Sequence, residues 1–343
     1  MKTIKAIQLI AIVCLAFSCQ SQKITDNNKG VEKEKVVVAY VTSWSRILPD
    51  PTYLTHINYA FGHVANTFDS VRINNEDRLK QLVELKKQKP ALKLILSIGG
   101  WGSGRFSEMA ADETYRRSFA KDCKRVVDEF GLDGIDIDWE YPTADMAGIS
   151  ASPADKDNFT LMMKDIRAAI GRDKLLTLAT AAGAQYIDFR GIDPYIDFVN
   201  IMSYDMGNPP YHHSGLYRSE HTGGISVDEA VKAHISAGVP VNKLVMGIPF
   251  YGRGRKEIGN FSNYKNIITL NHFEKKWDDV AKAPYLSSDS IAFVCGYDDP
   301  RSIAIKCEYI IEKGMLGAMY WDYDGDDSKG SLRKAVFNGL NRR

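Results

Sequence analysis

The chain has 343 residues, of which 44% are hydrophobic and 25% are charged, and this ordinary globular composition excludes long disordered tracts and collagen-like repeats. Its 44 Lys and Arg residues nearly balance 43 Asp and Glu residues, so the formal net charge is +1 and a basic nucleic-acid-binding surface is excluded. By length alone, the chain forms either two domains or one large α/β barrel.

The N-terminus predicts a signal peptide over residues 1–18. Lys2 and Lys5 precede an almost wholly apolar run over residues 6–17, which is too short to span a membrane comfortably. A buried first helix is the alternative, but residues 20–35 then turn polar and charged, as a tether would. We therefore expect this segment to direct export.

The end of the apolar run resembles a bacterial lipoprotein cleavage site. Ser18 and Cys19 close the run, although bulky Phe17 stands where a small residue is commoner. We expect Cys19 to be lipidated and residues 19–35 to form a polar tether. The protein would then be anchored to the bacterial outer membrane or the cell surface, with a periplasmic or secreted protein as the alternative.

Three cysteines follow the tether, at Cys123, Cys295 and Cys307. Three are too few, and an odd number, for a disulfide framework. An oxidising compartment would permit one bridge between Cys295 and Cys307, if their geometry allowed it. Three buried thiols are the simpler interpretation.

Eight short apolar runs recur from Val36 onward, and helical patterns lie between them. The predicted strands are Val36–Thr42, His56–Gly62, Lys93–Ile98, Gly134–Glu140, Leu175–Ala181, Phe198–Tyr204, Leu244–Phe250 and Gly317–Asp322. The predicted helices are Glu76–Lys89, Thr114–Phe130, Lys156–Ile170, Val227–Ala237 and Pro300–Lys313. Continuous apolar runs are typical of strands buried on both faces, and their alternation with helices implies a parallel sheet. Eight such units predict an α/β fold, a (β/α)8 TIM barrel.

Residues 251–299 exceed the short loop that a minimal barrel needs at this point. They contain Trp277 and the apolar run Ile291–Val294. We therefore predict a small inserted α+β subdomain at about residues 252–298, after the seventh strand, within a barrel domain over residues 36–343. In a barrel, this insert would lie on the C-terminal face, beside any active site.

The fourth predicted strand is the most informative stretch and reads DGIDIDWE over residues 133–140. Because side chains alternate along a strand, Asp136, Asp138 and Glu140 share one face and the interleaved isoleucines share the other. In a barrel the acids would face the lumen, and Glu140 would stand at the C-terminal mouth, where barrel enzymes carry out their chemistry. Asp133 breaks this alternation, so we assign it a structural role.

Three carboxylates this close together push one another toward the protonated form. A solvated acidic strand conflicts with the interleaved isoleucines, and no partner motif supports a site for a hard cation. Coupled acids, of which one stays protonated near neutral pH, are what general acid catalysis needs. The stretch therefore predicts an enzyme active site.

The same stretch matches the DxxDxDxE signature of glycoside hydrolase family 18, and its Trp-Glu-Tyr ending resembles chitinases. Further segments resemble motifs of this family: SIGGW at residues 97–101, MSYD at 202–205, YWD at 320–322, and YGR at 251–253 with YDD at 297–299 at the edges of the insert. The chain is thereby identified as a chitinase-like member of the family.

The resemblance implies a retaining reaction in which the N-acetyl group of the substrate is the nucleophile and forms an oxazolinium ion. Glu140 would protonate the glycosidic oxygen and later activate water. Asp138 would hydrogen-bond the acetamido N–H, and Asp136 would share a proton with Asp138, so that the two titrate together. Tyr204 would donate to the acetamido carbonyl.

The resemblance also implies a set of sugar-binding residues. Trp321 would form the apolar floor under the −1 sugar, and Trp101 would do the same near +1, because aromatic rings meet the C–H faces of sugars. The other residues implied in substrate binding are Gly100, Tyr141, Met202, Asp205, Tyr40, Phe61 and Arg253.

No metal or organic cofactor is implied. The acids at 322, 324 and 326 depart from a calcium-loop pattern, the glycines at 252 and 254 lack a third spaced glycine, and His212-His213 has no metal-ligand spacing. The implied partner is chitin or another oligo- or polysaccharide that contains N-acetylglucosamine. Nucleic acid is not an expected partner, and a membrane would be contacted only through the lipid anchor.

Two other functions compete with a chitinase that cleaves β-1,4-linked N-acetylglucosamine. An endo-β-N-acetylglucosaminidase acting on N-glycans shares the acetamido chemistry, but Trp139, Tyr141, Trp101 and the insert favour the chitinase. A carbohydrate-binding barrel without catalysis is the third hypothesis. Relatives of that kind usually lack the terminal Glu or one of the acids, but Asp136, Asp138 and Glu140 are all present here.

Overall fold

The structure, a computed structural model, describes residues 35–342. The predicted signal peptide and the lipidation site at Cys19 lie outside the described residues. Within residues 35–342, no helix is both long enough and apolar enough to cross a membrane.

Eight parallel strands close into a barrel. In chain order they are Val36–Thr42, His56–Val64, Lys93–Gly99, Gly134–Asp138, Leu175–Ala181, Phe198–Met202, Leu244–Pro249 and Gly317–Trp321. Each strand pairs in parallel with the next, and the first also pairs with the eighth, which closes the sheet. The predicted (β/α)8 fold is confirmed. The fourth and sixth strands end two residues earlier than predicted, so Glu140 and Tyr204 lie just beyond the strand ends.

Helices surround the barrel and connect most of its strands. They are Glu76–Val83, Phe106–Ala111, Glu113–Phe130, Asp155–Ile170, Phe189–Ile192, Val227–Ala237, Pro300–Glu312 and Ser331–Leu340. Their starts follow capping chemistry: Asp112 accepts from Thr114 N and Tyr115 N, and Ser226 forms a reciprocal capping box with Glu229. The helix predicted over 76–89 ends at Val83 and continues as a 3-10 turn over Glu84–Lys87.

An antiparallel sheet lies between the seventh and eighth barrel strands. Its strands, in spatial order, are Ser262–Asn263, Tyr251–Gly254, Ile291–Gly296, Ala283–Ser288 and Glu274–Asp278, and a short helix spans Tyr264–Ile267. The predicted α+β insert after the seventh strand is therefore present. Because the seventh strand ends at Pro249, the insert begins at the C-terminal end of the barrel.

The layer between strands and helices forms the main core. Ile135 and Ile137 of the fourth strand are completely buried in it, and Trp139 stacks on Phe106 with 5.3 Å between ring centroids. Cys123, Cys295 and Cys307 are free, buried thiols, so the alternative bridge does not form. Burial raises the pKa of the Cys295 and Cys307 thiols to about 12, which keeps both protonated.

Candidate active site

The three acids of the fourth strand lie at increasing height in the barrel. Asp136 is completely buried, Asp138 is 4% exposed, and Glu140 is half-buried just beyond the strand end. This arrangement follows from the alternation of the strand, which sends the isoleucines outward and the carboxylates inward. Asp133 lies at the opposite end of the strand, where it accepts from Leu94 N and Lys86 Nζ at 2.8 and 2.7 Å.

Neutral donors from neighbouring strands hold Asp136. Its Oδ2 accepts from the Tyr40 hydroxyl at 2.9 Å and from Ser97 Oγ at 2.8 Å. Its Oδ1 accepts from Thr177 Oγ1 at 2.6 Å and from Asn200 Nδ2 at 3.3 Å. Burial raises the pKa of Asp136, and these hydrogen bonds oppose that rise.

Asp138 is placed differently from Asp136. Its Oδ1 is buried, and within the described residues it has no hydrogen-bond partner. Burial, followed by the charges of Glu140 and Asp136, raises the pKa of Asp138 well above its ordinary range. No hydrogen bond joins Asp136 to Asp138 in the part of the chain that the structure describes, so a shared proton stays a prediction. An unpartnered buried acceptor is costly in isolation and is suited to bind a polar group of a ligand.

Glu140 has the electrostatics of a general acid. Burial raises its pKa to about 7, and the charge of Asp205 contributes to the rise. A carboxyl group with this pKa is partly protonated near neutral pH and can both donate and accept a proton.

Tyr204 enters the same region from the end of the sixth strand. Its hydroxyl lies 3.9 Å from the sulfur of Met319, and buried Met202 belongs to the same cluster of side chains. The Tyr204 ring packs against the backbone of Gly247, where an added Cβ would stand 2.9 Å from the ring. The same Cβ would stand 2.3 Å from the carbonyl oxygen of Ile201, so a side chain at position 247 would disturb both the sixth strand and Tyr204.

Asp205 faces the insert and is held as a carboxylate. Arg253 binds both of its oxygens, each at 2.6 Å, and the Tyr251 hydroxyl donates to Oδ1 at 2.8 Å. Burial would raise its pKa, but hydrogen bonds from His213 and Arg253 hold it below its ordinary range. The guanidinium of Arg253 also lies over the Tyr251 and Phe261 rings. Arg253, which the sequence predicts to bind substrate, thus forms an ion pair with Asp205.

The predicted sugar-binding aromatic side chains fall into a buried or half-buried group and a more exposed group. Trp321 is half-buried; it stacks on Phe61 at 5.7 Å between ring centroids and contacts Tyr40 at 5.8 Å. Gly100 has a φ of 92°, and an added Cβ there would stand 2.6 Å from the Phe61 ring, so only glycine fits.

Two further predicted sugar-binding aromatics lie nearer the solvent. Trp101 is 63% exposed at the end of the third strand, where it is not core filler. Tyr141 stacks on Tyr186 with 4.9 Å between ring centroids. The structure thus places the predicted site residues at the same C-terminal end of the barrel.

The sequence interpretation missed the supports of these residues. Thr177 and Asn200 bind Asp136, and Gly247 makes room for Tyr204. Thr177 and Asn200 are polar residues inside otherwise apolar strands, a signal that could have identified them as facing the lumen. No group of three or more His, Cys, Asp or Glu in residues 35–342 is placed to hold a metal ion.

A (β/α)8 barrel with coupled, buried carboxyl groups at its C-terminal mouth and aromatic rings around them has the architecture of a glycoside hydrolase. Residues 36–326 match the family described as glycosyl hydrolases family 18. The chain therefore belongs to glycosyl hydrolase family 18.

Individual relatives agree with this assignment. Chitinase A1 of Niallia circulans is 33% identical over 347 residues, which cover 87% of this chain and 49% of that protein. The chain thus spans about half the length of that relative. Chitotriosidase-1 of Mus musculus is 30% identical, with 86% of this chain and 74% of that protein covered. The structure of a family 18 N-acetylglucosaminidase from Paenibacillus barengoltzii superimposes with a TM-score of 0.82 at 36% identity, covering 90% of this chain and 100% of that one.

Proposed function

We propose that this protein is a chitinase-like hydrolase that cleaves β-1,4 linkages between N-acetylglucosamine residues with retention of configuration. One observation carries the proposal: Glu140, with its pKa raised to about 7, follows Asp138 by two residues at the mouth of the barrel, and Asp138 Oδ1 is buried with no hydrogen-bond partner among residues 35–342. A proton donor beside a free acceptor suits a substrate that offers both a glycosidic oxygen and an amide N–H.

In the proposed reaction the acetamido group of the sugar is the nucleophile. Asp138 accepts the acetamido N–H and Tyr204 donates to the acetamido carbonyl oxygen, which together aim that oxygen at the anomeric carbon. Glu140 protonates the leaving glycosidic oxygen as the bond breaks and an oxazolinium ion forms. Glu140, now a carboxylate, takes a proton from the water that opens this ring.

Asp136 and Asp205 affect the reaction without contacting the substrate. Hydrogen-bond donors fix Asp136 next to Asp138, so the protonation of Asp136 affects the titration of Asp138. Asp205, held by Arg253, raises the pKa of Glu140 through its charge. The Trp321 floor would lie under the −1 sugar, and exposed Trp101 would contact the next sugar.

The substrate separates this proposal from its main competitor. The similarity to chitinase A1 and chitotriosidase-1 supports chitin-type substrates. The wild-type protein should release N-acetylglucosamine oligomers from chitotetraose and leave a high-mannose glycopeptide intact. Cleavage of the glycopeptide alone would identify an endo-β-N-acetylglucosaminidase, and tight binding without product would identify a binding protein.

The pKa of Glu140 sets an alkaline limit to activity. Because burial raises that pKa from its ordinary 4.5 to about 7, and because catalysis needs the protonated form, activity must fall as the pH rises through 7. We expect kcat/KM for chitotetraose to be about tenfold lower at pH ~8 than at pH ~6. A rate that stays constant over this interval, with the fold intact by circular dichroism, would contradict the assignment of Glu140.

We further propose that the protein is exported and lipidated on Cys19. Replacement by serine removes the thiol that carries the lipid, so Cys19→Ser should move the protein from the membrane fraction to the soluble fraction of its bacterial host and abolish labelling with a fatty acid. Cys14→Ser, within the apolar run, is the matched control and should leave labelling unchanged. Equal labelling of both variants would exclude Cys19 as the lipidated residue.

A further inference from the structure

The chain on either side of Tyr204 is tied to one short segment, His213-Ser214. Ser214 Oγ donates to the carbonyl oxygen of Ser203 at 2.8 Å, and the carbonyl oxygen of His213 accepts from Met206 N at 3.1 Å. These two bonds bracket Tyr204 and Asp205. The backbone at Tyr204 is therefore held by hydrogen bonds to a segment that lies outside the barrel strands.

A buried ion pair holds Ser214 in turn. Lys306 Nζ donates to Ser214 Oγ at 2.8 Å and lies 2.7 Å from Asp298 Oδ2, and both charged side chains are completely buried. Ser302 Oγ donates to the other oxygen of Asp298 at 2.6 Å. Lys306 lies on the helix Pro300–Glu312, and Asp298 follows the insert.

This pair fixes the direction of the Ser214 hydroxyl. A lysine ammonium group can only donate, so the Ser214 oxygen accepts from Lys306 and its single proton is left for the carbonyl of Ser203. Burying two charges is expensive, and a pair of apolar side chains would often serve stability equally well. What the ion pair adds here is a defined hydrogen-bond direction toward the end of the sixth strand.

The opposite side of the same strand end is held by the seventh strand. Ser203 Oγ donates to Gly247 O at 2.8 Å and accepts from Gly247 N at 3.0 Å. Tyr204 packs against the same glycine. Ser203 thus fixes one side of the strand end, and the Lys306–Ser214 contact fixes the other.

We propose that Lys306 and Ser214 are positioning residues of the active site, which hold the backbone of Ser203 so that the Tyr204 hydroxyl meets the acetamido carbonyl of the substrate. This inference rests on the proposed function, because it takes Tyr204 to contact that group. It predicts that Lys306 and Ser214 affect catalysis only through Tyr204.

A double-mutant cycle tests this dependence. Lys306→Met would leave the buried charge of Asp298 without its partner and is expected to destabilise the fold. Ser214→Ala is therefore the informative variant. It should lower kcat for chitotetraose about tenfold, with KM little changed, because one hydrogen bond is lost from a positioned transition-state contact. In the Tyr204→Phe background, which itself lowers kcat about 10²-fold, Ser214→Ala should have no further effect.

Ser226→Ala is the matched control. Ser226 is also a buried serine that bonds the backbone, but its partner is Glu229 N at the start of the helix Val227–Ala237. Its replacement should lower the melting temperature and leave kcat unchanged.

The outcomes separate this inference from the proposed function. Equal losses for Ser214→Ala with and without the Tyr204 hydroxyl, or no loss in either background, would overturn the positioning role alone. Absence of chitotetraose cleavage by the unsubstituted protein would overturn the proposed function and the positioning role together.

Discussion

Replacing Glu140 by glutamine is expected to lower the turnover of chitotetraose by about 10³-fold or more, because the amide has the shape of the carboxyl group but cannot transfer a proton. The side chain stands beyond the end of the fourth strand and is half-buried at the mouth. Its burial already disfavours the charged form. A neutral amide therefore fits the same place, and the fold should survive.

The Glu140→Gln experiment has a matched control in Glu113→Gln. Glu113 lies at the start of the outer helix Glu113–Phe130, where its exposed side chain pairs with Arg117. The control should keep the wild-type rate, and both variants should give the wild-type circular dichroism spectrum. Undiminished turnover by Glu140→Gln would exclude Glu140 as the general acid.

Replacing Asp138 by asparagine is expected to lower kcat by about 10²–10³-fold. The amide keeps the volume of the side chain but cannot become a carboxylate beside the positive oxazolinium ion. Burial and the charges of Glu140 and Asp136 hold the pKa of Asp138 high, so Asp138 is the neutral member of the pair while Glu140 titrates. The alkaline limb of the pH profile, which follows Glu140, should therefore stay close to its wild-type position.

Pre-steady-state and steady-state rates over the pH range would measure kcat and the pH profile of Asp138→Asn. Asp173→Asn is the control, because Asp173 is exposed on the turn before the fifth strand, at the opposite end of the barrel. An unchanged kcat with a shifted pH profile would limit Asp138 to tuning Glu140. An unchanged kcat and an unchanged profile would remove Asp138 from the reaction.

Strands that are buried on both faces were predictable because their apolar runs are continuous. The first and fifth strands, Val36–Thr42 and Leu175–Ala181, have the predicted bounds. The helices Phe106–Ala111 and Ser331–Leu340 were missed. Phe106–Ala111 spans only 6 residues, too few for a repeating apolar pattern. Arg105 and Gly330 precede the two helices in the left-handed conformation, so neither helix has a side-chain cap to mark its start.

The acids of the site were predictable because period-two alternation places them on one face regardless of what surrounds them. Their supports were not, since these come from distant strands and helices. Asn200 reaches Asp136 from 64 positions away, and Lys306 reaches Ser214 from 92 positions away. A buried lysine on a helix interrupts the apolar face, but only the closed barrel shows which residue it meets.

The anomeric form of the first product tests the central claim most directly. Proton NMR recorded during the first turnovers of chitotetraose distinguishes β from α reducing ends before they equilibrate. Substrate-assisted catalysis by Glu140 and Asp138 predicts that the new reducing end appears as the β anomer. Initial formation of the α anomer would show that water attacks the sugar directly, and would contradict an oxazolinium intermediate.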